Sequence, residues 1–200
     1  NSSSVNITTI EDPVEYTMTG TNQIQINEKA GLTFDILLRS ILRQDPDIIL
    51  VGEMRDTETA KLAVRAALTG HLVLSTLHTN DAPSSIIRMI DMGVPPFLVS
   101  SSIIAVMAQR LVRKLCSRCK VPYELPFDVA RSLELDGFET VYRPVGCDEC
   151  RGTGYKGRTA IFEIMQMSEA LRRSIKRGVS SDELRAIAVR EGMVSLRASG

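Results

Sequence analysis

The chain has no long apolar segment and no excess of charge of either sign. Its uninterrupted apolar stretches, such as residues 48–51, are only a few residues long, whereas a bilayer-spanning helix needs about 20 apolar residues. We therefore predict no membrane span. The 200 residues include 24 basic and 24 acidic side chains, which excludes a bulk polycation for nucleic acid and a polyanionic tail. With 44% hydrophobic residues, the chain can form a packed core.

The sequence also lacks a complete phosphate-binding loop. No G-x-x-x-x-G-K-[ST] occurs, and there is no Gly-Lys dipeptide. Residues 152–157 match G-x-G-x-x-G, but they follow a cysteine pair and not a buried strand, and no ribose-binding acid lies about 20 residues further on. We interpret these glycines as allowing a tight backbone turn.

The N-terminus shows no secretion signal. The chain begins at Asn1 without an initiating Met, and neither a basic nor an apolar signal region follows. We therefore expect it to be a piece of a longer protein.

The neutral total charge conceals two halves of opposite sign. Acidic side chains outnumber basic ones in residues 1–109, and the reverse holds for residues 110–200. An acidic half suits a Mg²⁺ site, and a basic half suits docking to an acidic protein or to lipid headgroups. Solvated surfaces of differing composition explain the asymmetry equally well.

Buried strands alternate with amphipathic helices in the first half of the chain. Residues 5–10, 48–51 and 72–77 are rich in branched apolar side chains, as expected for strands buried on both faces. Apolar positions at helical spacing predict helices from Phe34, after an Asp56 N-cap, over residues 82–92 and from Pro96 towards Leu115. This pattern predicts an α/β fold with a parallel sheet.

The texture of the sequence changes after Leu115 to cysteine pairs, prolines and a Gly-rich loop. We predict three parts: an α/β domain at residues 1–113, a small module at 114–160 and a helical segment at 161–200. In the last part, a Ser180-x-x-Glu183 capping box is predicted to open one of two short helices.

Polar side chains follow each of the three predicted strands. Glu11 and Asp12 follow the first strand, Glu53 and Arg55 follow the second, and His78 follows the third. Because ligands bind at the carboxyl ends of parallel strands, we expect one site there. Residues 48–53 have the form of a Walker B strand, whose carboxylate reaches a Mg²⁺ shell or the attacking water. Asp56 is explained by helix capping alone.

Two arginines are predicted on the exposed face of the first helix. Arg39 and Arg43 lie one turn apart, opposite the apolar stripe. Such a pair can neutralise phosphate charge presented by a neighbouring subunit, as arginine fingers do. A solvated helix face explains the pair nearly as well.

The chain has two histidines, His71 and His78, at opposite ends of one predicted strand. Their odd spacing places the side chains on opposite faces, which argues against a shared metal ion. A histidine at the carboxyl end could contact phosphate, although a structural role is an equal alternative.

The four cysteines form two C-x₂-C pairs, Cys116 with Cys119 and Cys147 with Cys150. Four thiolates in this arrangement supply a closed tetrahedral shell for a structural Zn²⁺. Two disulfides or an iron–sulfur cluster are the alternatives, and nothing in the sequence indicates an oxidising compartment.

Residues 42–56, LRQDPDIILVGEMRD, closely resemble the signature of the ATPases of the type II secretion and type IV pilus superfamily. Residues 10–16 resemble that family's Asp box, residues 69–80 resemble its His box, and the arginines of residues 108–113 and the tetracysteine module follow in family order. The resemblance covers essentially the whole chain.

The resemblance implies a partial RecA-like P-loop ATPase sheet, followed by a tetracysteine zinc module and C-terminal helices. It implies a homo-hexameric motor that uses ATP, Mg²⁺ and Zn²⁺ and works at the cytoplasmic face of the inner membrane. Its partners would be inner-membrane platform and cytoplasmic assembly proteins, and not nucleic acid. The phosphate loop would lie upstream of Asn1, and the tetracysteine favours an extension or secretion motor over a retraction motor.

The resemblance also implies roles for individual residues. Glu53 would be the Walker B acid and bind the cofactor together with Asp12, and Glu11 would help to activate water. Three residues match family arginines that serve the nucleotide site within or across subunits: Arg39, Arg43 and Arg55. The histidine pair of the His box is matched by His71 and His78. The alternative function is a zinc-stapled interaction or nucleic-acid-binding module without catalysis, which the scarcity of aromatics in the basic half disfavours.

Overall fold

The computed structural model describes residues 4–132 and 140–200. The chain divides into two compact units. The main unit comprises residues 1–108 and 163–198, and the cysteine unit comprises residues 109–162 and 199–200.

A four-stranded parallel sheet forms the centre of the main unit. Its strands are β1 (Ile7–Glu11), β2 (Asn22–Gln25), β3 (Ile48–Val51) and β4 (Leu72–Ser75), in the spatial order β2-β1-β3-β4. Ile10 pairs with Val51, and Val51 pairs with Ser75, so the strands end at one level. The predicted parallel α/β fold is confirmed, although the sequence did not predict β2.

Four helices follow in the order in which the sequence places them. They are α1 (Phe34–Ile41), α2 (Thr57–Leu68), α3 (Ala82–Asp91) and α4 (Pro96–Ser102). The first three agree with the predicted helices. The prediction that the fourth continues towards Leu115 is wrong, because residues beyond Ser102 turn into strand β5 (Ala105–Leu115).

The long strand β5 pairs with the distant strand β8 (Tyr155–Gln166) in a two-stranded ribbon. The chain then forms α6 (Glu169–Arg177), α7 (Ser181–Arg190) and α8 (Leu196–Ser199). At the start of α7, the Ser180 side chain accepts a hydrogen bond from the Glu183 amide, and the Glu183 carboxyl group accepts one from the Ser180 amide. The predicted capping box is therefore confirmed.

The main unit has two clusters of buried apolar side chains. One packs α1 and α2 against the sheet and includes Ile10, Leu38 and Ile49. The other joins α3 and α4 to α6 and α7, with Ile86 and Leu171 among its fully buried members. Strand β4 lies at one edge of the sheet, where Leu72 and Leu74 are 43% and 49% exposed.

The cysteine unit contains its own small sheet. Strand β6 (Val121–Tyr123) pairs antiparallel with β7 (Val141–Arg143), and helix α5 (Phe127–Ser132) follows β6. Across the described parts of both units, no helix combines the length and apolarity needed to cross a bilayer.

Candidate active-site cleft and metal centre

A cleft opens at the carboxyl edge of the parallel sheet. Its volume is about 290 Å³. The residues that line it come mainly from the ends of β1, β3 and β4: Glu11, Asp12, Pro13, Glu15, Phe34, Leu50, Gly52, Glu53, Thr76 and His78. The structure thus brings together Glu11, Asp12, Glu53 and His78, as expected from their positions after parallel strands.

Glu53 is held by a partner on each carboxylate oxygen. Oε1 pairs with Arg55, and Oε2 lies 2.9 Å from Nε2 of His78. The Glu53 side chain is only 13% exposed, whereas that of His78 is 85% exposed. The hydrogen bond from Arg55 lowers the pKa of Glu53 despite the opposing effect of burial. Glu53 therefore stays ionised at a lower pH than an ordinary glutamate.

Arg55 also connects the ends of two strands. Its second contact is with Asp12, at 3.7 Å between Nη1 and Oδ2. Because Asp12 follows β1 and Glu53 follows β3, one guanidinium group bridges carboxylates from neighbouring strands. Arg55 is thereby placed at the predicted site together with Glu53.

Glu11 is oriented by two residues that the sequence analysis did not single out. Its Oε1 accepts hydrogen bonds from Thr9 Oγ1 at 2.6 Å and from Gln23 Nε2 at 2.9 Å. Thr9 and Gln23 are register partners on β1 and β2. The alternation of side chains along β1 places Thr9 and Glu11 on one face, but the position of Gln23 depended on the unrecognised strand β2.

Gly52 allows β3 and the following loop to approach β1 closely. A Cβ atom added there would lie 3.1 Å from the Ile10 carbonyl oxygen, and the Gly52 amide donates to that oxygen at 2.8 Å. The Gly52 carbonyl accepts a hydrogen bond from Thr76 Oγ1 at 2.6 Å. These contacts tie together the three strand ends that form the cleft.

Arg39 and Arg43 lie outside this cleft. Arg39 is 52% exposed on α1 and pairs with the exposed Glu58 at 3.4 Å. Arg43, in the short helical turn after α1, donates to the Arg39 carbonyl at 3.1 Å. Both guanidinium groups are therefore on the exposed surface, as predicted.

His71 lies at the other end of β4 from His78. Its Nδ1 is 3.0 Å from the Ala66 carbonyl oxygen and 3.2 Å from Thr69 Oγ1, at the C-terminus of α2. These contacts give His71 a helix-terminating position apart from the cleft. Asp56 caps the other end of α2, since its Oδ1 accepts from the Thr59 amide at 2.8 Å.

The four cysteines converge in the cysteine unit. Their Sγ atoms all lie within 4.8 Å of one another, and the cysteines are free. The distances are 3.9 Å for Cys116–Cys147 and 3.8 Å for both Cys119–Cys150 and Cys147–Cys150. Tetrahedral Zn²⁺ with Zn–S bonds of about 2.3 Å separates its sulfur ligands by about 3.8 Å. The cluster therefore fits a zinc ion.

Backbone amides support the cysteine cluster. Cys150 Sγ accepts from the amides of Cys147 at 3.2 Å and Gly154 at 3.1 Å. Although desolvation acts in the opposite direction, these bonds lower the pKa of the Cys150 thiol to about 6. Gly154 has a φ of +74°, and a Cβ atom there would lie 2.4 Å from Cβ of Pro144. The tight turn at Gly154 thus brings its amide to Cys150 Sγ, and the tight turn is the feature that the sequence predicted for these glycines.

The carboxylates of the cleft are arranged differently. Among the described residues, the cysteine cluster is the only group of three or more His, Cys, Asp and Glu side chains whose ligand atoms could share one metal ion. Mg²⁺ is usually bound by one or two carboxylates together with substrate phosphates and water. The cleft therefore offers carboxylates for such a site, but not enough protein ligands to surround the ion by themselves.

Known proteins of one family are similar to this chain. Residues 1–200 match the family described as Type II/IV secretion system protein. The chain is 52% identical over 199 residues to the type IV pilus assembly ATPase PilB of Thermus thermophilus, an alignment that covers 98% of this chain and 22% of that protein. It is 51% identical over 198 residues to the type II secretion system protein HxcR of Pseudomonas aeruginosa. That alignment covers 99% of this chain and 39% of HxcR.

A solved structure of the pilus retraction motor PilT with bound ADP is also similar. Its TM-score is 0.67 and its sequence identity 30%, over 98% of this chain and 47% of that chain. The chain therefore belongs to the type II/IV secretion system protein family, as the sequence resemblance predicted. It spans less than half the length of each of these three proteins.

Proposed function

We propose that this chain is part of an ATP-hydrolysing hexameric motor that powers type IV pilus assembly or type II protein secretion. The observation that carries the proposal is the position of Glu53 at the carboxyl end of β3, where its carboxyl group is held between Arg55 and His78 in the cleft. Family membership and relatives that are named pilus assembly ATPases support the same reaction.

Glu53 acts as the Walker B carboxylate in this proposal. Its lowered pKa keeps it ionised, as required of a group that orders a metal-bound or attacking water. Glu53 and Asp12 are the residues that would hold Mg²⁺, which would supply neutralisation of the phosphate charge. Glu11, fixed by Thr9 and Gln23, presents a second carboxylate that orients water.

The arginines have two proposed settings. Arg55 lies at the cleft, where it sets the charge of Glu53 and Asp12. Arg39 and Arg43 are exposed and lie away from the cleft, which suits contact with nucleotide bound by a neighbouring subunit. His78 contacts Glu53 directly, and His71 holds the start of β4.

The phosphate loop is proposed to come from the longer protein. Strand β4 is an edge strand with exposed leucines, and a parallel strand added beside it would extend the sheet and its carboxyl edge. A strand there would deliver its following loop next to His78 and Glu53. The phosphate-binding amides and lysine that this chain lacks would then face the cleft.

The cysteine unit is proposed to be a structural zinc module. The four sulfur atoms fill all positions of a tetrahedral shell, so no position remains for substrate. Such a site implies a reducing compartment, in agreement with a motor on the cytoplasmic face of the inner membrane that works with platform and assembly proteins. The proposed module spans residues 114–160, between an ATPase part at 1–113 and a helical segment at 161–200.

ATP turnover by the full-length protein tests the proposal. Glu53→Gln keeps the shape of the side chain but removes its charge, so hydrolysis should be abolished while ATP remains bound. Glu169→Gln, an exposed substitution on α6, makes the same charge change away from the cleft and should leave turnover unchanged. Full activity of the Glu53→Gln variant would refute the assignment.

A further inference from the structure

A buried carboxyl group outside the cleft has no part in the proposed chemistry. Glu163, on β8, is 1% exposed. Its Oε1 accepts a hydrogen bond from the Ala82 amide at 2.9 Å, and its Oε2 accepts one from the Leu196 amide at 3.0 Å. These two amides lie at the starts of α3 and α8, where helix amides lack partners within the helix. One carboxyl group therefore holds two helix N-termini.

Arg185 on α7 links this carboxyl group to the segment that carries His78. Its Nη1 lies 3.5 Å from Glu163 Oε2, and its Nη2 lies 2.7 Å from Asp81 Oδ2. Asp81 is the N-cap of α3 and accepts from the Ser84 amide at 2.8 Å. Because a buried charged group is costly unless it is paired, Glu163, Arg185 and Asp81 form a unit in which each member depends on the others.

This network fixes one end of the short segment 76–81. The other end is fixed at the cleft, where Thr76 bonds to the Gly52 carbonyl and accepts a bond from the Met54 amide at 3.1 Å. His78 lies between these two anchors and is itself 85% exposed. Its two neighbours are held towards α3, since Leu77 packs against the apolar cluster of α3 and Thr79 Oγ1 lies 2.7 Å from Ser85 Oγ. Little packing surrounds the His78 ring itself, so its position against Glu53 depends on where the start of α3 is held.

We infer that Glu163 and Arg185 are positioning residues that place His78 against Glu53 and so connect α7 and α8 to the cleft. The inference rests on the proposed function for its effect on catalysis, but not for its effect on His78. It adds a pair from the C-terminal part of the main unit to the residues that determine turnover. A displacement of about 1 Å at a catalytic group can lower a rate by about a hundredfold, so a small shift of His78 would be enough to lower turnover.

The two histidines of the chain provide a direct readout of the placement. In ¹H–¹³C spectra of the 200-residue chain, the imidazole signals are those of His71 and His78 alone. Glu163→Gln should shift the His78 signals and leave those of His71 in place, because His71 is held by Ala66 and Thr69 at the other end of β4. Glu169→Gln is the matched control and should move neither set.

The same substitution is then measured in the full-length motor. Glu163→Gln should lower kcat for ATP about tenfold to a hundredfold with a smaller change in KM, because binding of ATP does not use this network. Arg185→Lys keeps the charge but loses the two-armed contact, so it should shift His78 and lower kcat in the same direction. It also serves as the second variant if Glu163→Gln does not fold.

The outcomes are distinguishable. Unchanged His78 signals in folded Glu163→Gln and Arg185→Lys variants would overturn the inference, as would equal shifts of both histidines, which indicate a general loss of structure. A wild-type full-length protein without ATPase activity would defeat the proposed function. A selective His78 shift in that case would still establish the positioning role.

Discussion

Glu53 and His78 meet across the ends of two neighbouring parallel strands, with 2.9 Å between Oε2 and Nε2. Glu53 follows β3, and His78 follows β4. The contact therefore depends on the alignment of the two strand ends and on the charge of the Glu53 carboxyl group. A ligand that binds in the cleft and contacts Arg55 or His78 in place of Glu53 would leave one oxygen of the Glu53 carboxylate free.

The stability of the fold should depend on pH through Glu53. Arg55 lowers the pKa of Glu53, so the ionised carboxylate stabilises the fold at a pH above its ordinary pKa, and this stabilisation is lost as the pH falls through the lowered value. Arg55→Gln should weaken that dependence only in part, because the Arg55 side chain is 57% exposed and water screens the pair. Urea unfolding of both proteins at neutral and acidic pH measures the difference. Arg173→Gln on α6 is the control, and an equal flattening of its pH profile would contradict the assignment.

The isolated chain should neither bind ATP tightly nor hydrolyse it. Phosphoryl transfer depends on backbone amides and a lysine around the phosphates, and the G-x-x-x-x-G-K-[ST] loop that supplies them does not occur in these residues. Calorimetric titration with ATP and a phosphate-release assay test this expectation. Robust turnover by the 200-residue chain would show that the catalytic groups are misplaced.

The metal prediction is one Zn²⁺ per chain. Cys147→Ser should abolish stoichiometric zinc and loosen the cysteine unit, because Cys147 contacts both Cys116 and Cys150. Metal analysis together with limited proteolysis tests this expectation, and Ser117→Ala, between the first two cysteines, is the control. Four free thiols without zinc in the wild-type protein would count against the site.

Two glycines of the cysteine unit form a matched pair. Gly154 and Gly157 have φ values of +74° and +78°, but a Cβ atom at Gly154 would meet Pro144, whereas nothing lies within 4 Å of one at Gly157. Gly157→Ala should therefore cost only the backbone strain, about 1 kcal/mol. Gly154→Ala should cost clearly more and weaken zinc retention against a chelator. Equal thermal midpoints of the two variants would disprove the packing argument.

The cap of α2 supplies a prediction about stability. Asp56 accepts hydrogen bonds from the amide and the hydroxyl group of Thr59, at 2.8 Å and 2.7 Å. Asp56→Ala should lower the free energy of unfolding by about 1 kcal/mol, and Asp56→Asn should retain most of it because asparagine is also a good N-cap. Chemical denaturation compares the two, and a larger loss for Asn than for Ala would argue against capping.

Local patterns were sufficient for much of the fold and for the edge where the cleft lies. Three strands rich in branched residues and three amphipathic helices were recognisable because each carries its own signal. Strand β2 was missed because its sequence, Asn-Gln-Ile-Gln, is polar and belongs to an edge strand that buries little. Its absence from the prediction also concealed Gln23, which orients Glu11.

Pairing between distant segments accounts for the other errors. Residues 105–115 have apolar side chains at spacings that a helix also allows, and their strand conformation depends on β8, far along the chain. Glu163 gave no such local signal. On β8 the buried side chains of Glu163 and Met165 alternate with those of Phe162 and Ile164, which are 42% and 46% exposed, so the sequence pattern does not show which face is buried. Its helix partners could not be identified without the tertiary structure.

The exposed edge of β4 has a consequence for handling the molecule. Leu72 and Leu74 stand at the rim of a parallel sheet, and an uncovered strand can pair with a strand from another molecule. Solutions of the isolated chain should therefore scatter more light as they are concentrated, because β4 strands of different molecules pair. Added nucleotide should not change this scattering. Leu74→Lys would place a charge on this edge strand, and the chain would then remain monomeric at concentrations suited to spectroscopy.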